Sequence, residues 1–251
     1  MTVLRSLAFN VFFFAWLALV LVVMVLFLPL PRRVMQNAVR VWTHVMGLGL
    51  KAIIGLDFEV RGRQHIPPGG VVFACKHQSA WETMAFHILF RDTAYVIKKE
   101  LFAVPLFGWY ARKVQSIPVD RAGGAAALRR LIRDARTQIA AGRPLVVFPE
   151  GTRMAPGTRG AYHPGVFALY KQARATIVPV ALNSGLFWGR RQFVKRSGVM
   201  VIEFLEAMPE GLDRHQFLAE LESRVEAASD RLADEARSRF NLIPRSGDRD
   251  P

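Results

Sequence analysis

From Leu7 to Leu30 the chain runs LAFNVFFFAWLALVLVVMVLFLPL, 24 residues in which Asn10 is the one strongly polar side chain. As a helix this stretch reaches about 36 Å, enough to cross the hydrocarbon core of a bilayer. It is too long for the apolar region of a cleaved signal peptide, and Pro29, Pro31, Arg32 and Arg33 stand where a small-residue cleavage site belongs. A retained, membrane-embedded helix is therefore expected over residues 1–33, either spanning the bilayer or entering one leaflet. Over residues 34–55 the period changes. Asn37, Arg40, His44 and Lys51 recur at roughly helical spacing against a wide apolar face of Val34, Val41, Trp42, Val45, Met46, Leu50, Ile53 and Ile54. The pattern predicts an amphipathic helix, and the adjoining apolar run favours an interfacial place for it over a core-packing one.

From Leu56 onward short apolar runs alternate with helical stretches. Strands are predicted at Asp57–Arg61, Val71–Cys75, Ala94–Ile97, Ser116–Val119, Pro144–Phe148, Ile177–Leu182 and Val199–Leu205. Leu128, Leu131, Ile132, Ala135 and Ile139 form one helix face opposite Arg129, Arg130, Arg133 and Arg136, so the apolar face packs inward and the arginines stay hydrated. Phe217, Leu221, Val225, Ala228 and Leu232 repeat at helical spacing near the C-terminus, and Pro244 to Pro251 reads as a polar tail. Strands alternating with helices imply an α/β fold, with a largely parallel central sheet flanked by helices, over residues 56–210. A C-terminal helix and tail follow over 211–251. Such sheets collect ligands beyond the carboxyl ends of their strands.

The 251 residues suit one domain with accessory segments, and 51% hydrophobic content supplies a core. The formal net charge of +14 is unevenly placed: residues 31–208 carry 26 basic against 10 acidic side chains. A basic excess attracts nucleic acid, anionic lipid and anionic substrates through the same field. The apolar N-terminus decides for lipid, and no aromatic-basic platform for single strands accompanies the charge, so no nucleic-acid partner is expected. Only Arg5 precedes the apolar run, whereas Arg32, Arg33 and Arg40 follow it. The positive-inside rule then puts the rest of the chain on the cytoplasmic side of the cell (inner) membrane. With Cys75 as the single cysteine no internal disulfide can form, and no Cys/His cluster has zinc-ligand spacing, so no metal is expected.

Two hexapeptides carry the candidate chemistry. His77-Gln78-Ser79-Ala80-Trp81-Glu82 follows a predicted buried strand and places an imidazole five residues before a carboxylate. Histidine accepts a proton near neutral pH, and a carboxylate can hold its tautomer and offset the imidazolium charge. Ser79 and Glu82 also fit a capping box, in which Glu82 reaches back to the cap of the following helix. Phe148-Pro149-Glu150-Gly151-Thr152-Arg153 supplies a turn glycine, a hydroxyl and a guanidinium, groups suited to a phosphate. His44 and His65 read as bystanders, and Pro179 and Trp109 as packing or acyl-pocket residues.

These blocks occur in order with Lys98-Lys99-Glu100-Leu101, Gly108, Ile117-Pro118-Val119-Asp120-Arg121 and Val178-Pro179-Val180. Together they resemble the 1-acylglycerol-3-phosphate acyltransferase family, and more broadly the glycerolipid acyltransferases whose first motif is His, any four residues, Asp. The resemblance implies His77 as general base and the following acid as its orienter. It also implies an acceptor site at the Glu150-Gly151 turn with nearby basic residues. Glu82 stands where the family has Asp, one methylene longer. On this reading His77 deprotonates the free glycerol hydroxyl as it attacks an acyl thioester, with acyl-CoA or acyl-carrier-protein thioester as co-substrate, no further cofactor and no protein nucleophile, so Cys75 is only a strand residue. Arg153 and Arg121, with Lys98 and Lys99, are the implied phosphate ligands, because a guanidinium fork matches phosphate oxygens. Glu150 and Thr152 either contact an acceptor hydroxyl or order the turn. The implied acceptor is lysophosphatidic acid, giving phosphatidic acid in phospholipid biosynthesis. Another lyso-lipid, such as a lyso-aminolipid or glycerol 3-phosphate, or a non-catalytic lipid-binding role, is the alternative.

Overall fold

The computed structural model describes residues 1–242, so the tail expected at Pro244 to Pro251 lies outside the described residues. Seven strands form one sheet: β1 (Leu56–Arg61), β2 (Val72–Cys75), β3 (Ala94–Lys98), β4 (Ile117–Val119), β5 (Leu145–Val147), β6 (Ile177–Leu182) and β7 (Gly198–Phe204). Their order is β1-β7-β6-β2-β5-β3-β4, parallel throughout except for the antiparallel β6–β7 pair. All seven fall on runs that the apolar pattern predicts. The helices are α1 (Thr2–Val23), α2 (Arg32–Gly49), α3 (Trp81–Leu89), α4 (Phe107–Lys113), α5 (Gly124–Ala140), α6 (Gly165–Lys171) and α7 (Arg214–Phe240).

This strand order matters for function. β2 and β5 are parallel neighbours at the centre, flanked by β6 on one side and β3 then β4 on the other. The residues following these five strands therefore meet at one edge: Asn183 and Ser184 after β6, His77 after β2, Phe148 to Arg153 after β5, Lys99 after β3, and Asp120 and Arg121 after β4. Alternate side chains of the central strands feed two cores. Phe73, Cys75, Val146, Val178 and Val180 pack with Trp81 and Phe86 on one face. Val72, Ala74, Leu145, Val147 and Ile177 pack with α5, α6 and the start of α7 on the other. A strand covered on both faces reads as a continuous apolar run, as these do.

Thr2–Phe27 is long and apolar enough to cross a membrane, and only 11% of its most apolar window is buried within the molecule. Its attachment departs from a free-standing span. Ser6 accepts from the Lys195 amide and Asn10 binds the Lys195 ammonium near the start, Phe9 and Phe13 pack edge-on against Trp188, and Tyr110 donates to the Leu21 carbonyl near the end. A helix fastened at both ends to one domain runs alongside it. Its other face exposes Val3, Leu4, Leu7, Val11, Phe14, Leu19 and Val22. α2 divides its apolar residues. Met46 joins the main core, continued by Leu50 and Ile54 in a π-helical last turn, while Val41 and Leu48 face outward. Three of its polar residues are used inward, Arg32 and Gln36 binding Asp92 and Arg40 the His87 carbonyl, while Arg33, Asn37 and His44 are exposed.

Candidate active site

The β2–α3 turn builds a histidine–carboxylate pair. His77 Nδ1 lies 2.8 Å from Glu82 Oε1, and that oxygen also accepts the Gln78 and Ser79 amides at 2.7 and 2.6 Å. Oε2 accepts the Ser184 hydroxyl at 2.9 Å. The carboxylate, fully buried, thus serves four donors, and an acceptor-only group opposite Nδ1 makes that nitrogen the donor. The tautomer leaves the Nε2 lone pair for a substrate proton. The expected capping box forms only in part: Glu82 reaches back to the Ser79 backbone N–H and the Ser79 hydroxyl accepts from the Trp81 N–H, but the α3 N-cap is Ala80, which has no side-chain cap bond. Both carboxylate oxygens are engaged at once. The imidazole stacks on Phe148 at 4.1 Å between centroids and 21°, so the second hexapeptide holds the flat side of the first one's base. Met154 donates to the His77 carbonyl at 2.8 Å, tying the two loops together.

His77 lines a cavity of about 790 Å³. One end is polar, walled by Lys98, Arg121, Gly151, Thr152, Arg153, His163 and Arg190. Asp120, which pairs with Lys99, also lines it; the remainder is mostly apolar, with Thr83, His87 and Ser116 interspersed, and runs between Val20 and Leu21 of α1, Trp42 of α2, Leu101, Tyr110 and Val114 around α4, and Leu128 and Leu131 of α5. A proton acceptor therefore sits where a cationic mouth meets an apolar channel, the arrangement an amphiphile with one anionic head requires. Gly151 suits the mouth because its φ is +63°, a left-handed conformation that residues other than glycine disfavour, and its carbonyl accepts the Arg121 guanidinium. His163, close to Arg121 and Lys98, has its pKa lowered by burial first and by those two charges second, so it is a neutral member of the mouth.

Two of the implied substrate ligands stand elsewhere. Glu150 is buried, does not line the cavity, and binds Lys76 and the His77 amide, so of its two readings the ordering role is the one its geometry fits. Lys99 pairs with Asp120 and lies outside the cavity. Trp109 is exposed and off the cavity wall, and Pro179 is a buried residue of β6. Burial, with the Glu82 and Glu150 charges, pushes the Cys75 thiol well above its ordinary pKa, and the thiol donates a hydrogen bond to the Lys76 carbonyl, so Cys75 is a poor nucleophile. Sequence reasoning missed Ser184, Lys76, Arg190 and His163. Only Lys76 left a trace, a charge directly after a run of buried strand residues; the others reach the site by tertiary folding.

Residues 57–183 match the family model described as Acyltransferase. The chain is 33% identical over 196 residues to a 1-acyl-sn-glycerol-3-phosphate acyltransferase of Pseudomonas aeruginosa, covering 78% of this chain and 75% of that protein. It is 30% identical over 173 residues to the human 1-acyl-sn-glycerol-3-phosphate acyltransferase alpha, covering 67% of this chain and 61% of that protein. The crystal structure of a 1-acyl-sn-glycerophosphate acyltransferase, PlsC, from Thermotoga maritima superposes with a TM-score of 0.73 at 20% identity, over 92% of this chain and 98% of that one, a likeness of fold. Motif order, matched block and identity over most of both chains agree: the chain belongs to the 1-acyl-sn-glycerol-3-phosphate acyltransferase family of glycerolipid acyltransferases.

Proposed function

We propose that this acyltransferase moves an acyl group from an acyl-CoA or acyl-carrier-protein thioester to the free sn-2 hydroxyl of 1-acylglycerol 3-phosphate, giving phosphatidic acid. The carrying observation is His77, oriented by Glu82, at the junction of a cationic mouth and an apolar channel. His77 Nε2 takes the hydroxyl proton as the oxygen attacks the thioester carbonyl, and Glu82 offsets the growing imidazolium charge. The C–S bond then breaks, and the proton held at Nε2 goes to the departing thiolate. Arg121 and Arg153 hold the acceptor phosphate, with Lys98 beside them and the Gly151–Thr152 turn forming the adjoining wall; the Gly151 N–H itself is engaged by the Phe148 carbonyl at 2.9 Å. Glu150 orders that turn and touches no substrate.

The protein attaches to the membrane by the exposed apolar stripe of α1, which, docked along the domain, enters one leaflet. The basic flank after Leu30 favours the cytoplasmic face of the inner membrane. Residues 1–33 and 34–55 form the membrane-attached part and 56–210 the catalytic domain, followed by the C-terminal helix α7. The test is to incubate purified protein with one acyl thioester and a panel of 1-acylglycerol 3-phosphate, lyso-aminolipids and glycerol 3-phosphate, following thiol release and the lipid product. Turnover with 1-acylglycerol 3-phosphate far above the others is expected. Preference for an acceptor without a phosphate refutes the assignment of Arg121 and Arg153.

A further inference from the structure

Next to the histidine–carboxylate pair lies a charge cluster that the cavity does not reach. Lys76, 1% exposed, donates to Glu150 Oε1 at 2.7 Å, to both oxygens of Glu226 at 2.7 and 2.8 Å, and to the Thr158 carbonyl at 3.1 Å. Tyr162 donates its hydroxyl to Glu226 at 3.1 Å. The second oxygen of Glu150 accepts the backbone N–H of His77 at 3.2 Å. Glu226 belongs to α7, 43 residues beyond the end of the matched family block at residue 183. A continuous chain of bonds thus leads from the C-terminal helix through a buried ammonium to the peptide group that carries the base.

Stability alone does not call for this cluster. Phe217, Leu221, Val225 and Leu232 already pack α7 against the sheet. Buried ion groups are also commonly replaceable by apolar side chains of similar volume without loss of stability. What such a cluster does provide is direction: each bond fixes an angle, and an apolar contact does not. With the His77 carbonyl held by the Met154 amide, the Glu150 contact completes the clamp on both sides of the histidine.

We propose that Glu226 is a positioning residue, acting through Lys76 and Glu150 to fix the peptide group of His77 and so the aim of its imidazole at the acceptor hydroxyl. The inference rests on the acyl-transfer reading of the same site. Its test is Glu226→Gln in the full chain, which keeps the side chain's shape and one acceptor oxygen but removes its charge. Thiol-release kinetics with 1-acylglycerol 3-phosphate and acyl-CoA should show kcat reduced roughly 10- to 100-fold, the size of a sub-ångström to ångström misplacement, with both Michaelis constants unchanged. The proton resonance of His77 Nδ1–H should shift as well, in a protein of native melting temperature. Wild-type kcat with an unshifted resonance overturns the inference, as does a raised Michaelis constant at unaltered kcat. If Glu226→Gln does not fold, Tyr162→Phe decides, because it removes one donor to Glu226 and no charge: a severalfold lower kcat at unaltered Michaelis constants upholds the inference, and wild-type kcat overturns it. A wild-type chain that releases no thiol with any lyso-lipid refutes the acyl-transfer reading instead, and the Nδ1–H resonance then decides the positioning role alone.

Discussion

Glu82→Gln separates charge from hydrogen-bonding shape at the centre of the site. The amide oxygen of glutamine can take the place of Oε1 and keep its three donors, the His77 ring and the Gln78 and Ser79 amides. The amide NH2 then faces the Ser184 hydroxyl, which turns from donor to acceptor. Fold and tautomer are thereby preserved. What disappears is the negative charge opposite an imidazole that becomes cationic in the transition state. A hydrogen bond to a charged group is worth about 1.5–3 kcal/mol and a neutral one about 1 kcal/mol, so roughly 1–2 kcal/mol of transition-state stabilisation is lost. That corresponds to a fall in kcat of roughly 5- to 30-fold. The stability change is smaller, about 1 kcal/mol or less, because losing a carboxylate at the α3 N-terminus is offset by no longer burying a charge. Thiol-release kinetics and thermal unfolding on the same preparation provide the check. If activity falls only in proportion to lost folded protein, or stays at wild type, Glu82 is a helix cap and nothing more, and the assignment of His77 as base loses its orienting partner.

Further outcomes follow from the same geometry. His77→Ala should lose about 10²–10⁴-fold in turnover while the protein stays folded and binds lyso-lipid, whereas Cys75→Ala should leave turnover intact; a trapped acyl-cysteine by mass spectrometry would reverse both assignments. Arg153→Lys keeps the charge but loses the planar fork, so it should raise the Michaelis constant for lyso-lipid at low and high salt alike and spare the thioester. Arg133→Ala, at an exposed guanidinium paired with Asp134, should change only the salt-dependent part, and identical behaviour of the two variants would remove Arg153 from the phosphate site. Burial, with Arg143 and Arg40 adding to it, lowers the His87 pKa from 6.5 to about 4, so the native state holds this ring neutral while the unfolded chain protonates it. The stabilisation is complete above pH 6.5 and is lost as pH falls from there toward 4, so denaturation midpoints for His87→Leu should vary less across that window than for the unsubstituted chain.

The sequence alone determined the strands, the α5 and α7 helices and the pairing of His77 with Glu82, because each is encoded within a few residues. Apolar runs such as Val72–Cys75 have one low-energy use, a strand covered on both faces, and His77 and Glu82 are brought together by a single turn of chain. Local sequence could equally make Glu82 a cap or an orienter, and in the structure one oxygen holds the His77 ring together with the backbone of the turn before the helix. Tertiary structure alone decided the rest. Glu150 and Lys99 look like ligands in a motif, yet buried Lys76 and half-buried Asp120 engage them, and those partners lie 74 and 21 residues away. The long apolar run specifies a membrane-seeking helix by its length, but whether it leaves the domain or lies along it depends on Trp188, Lys195 and Tyr110, which no local pattern connects to it. Glu226 shows the same limit: an acidic residue on an amphipathic helix reads as solvated, and only the packing of α7 over the sheet reveals the buried ammonium it meets.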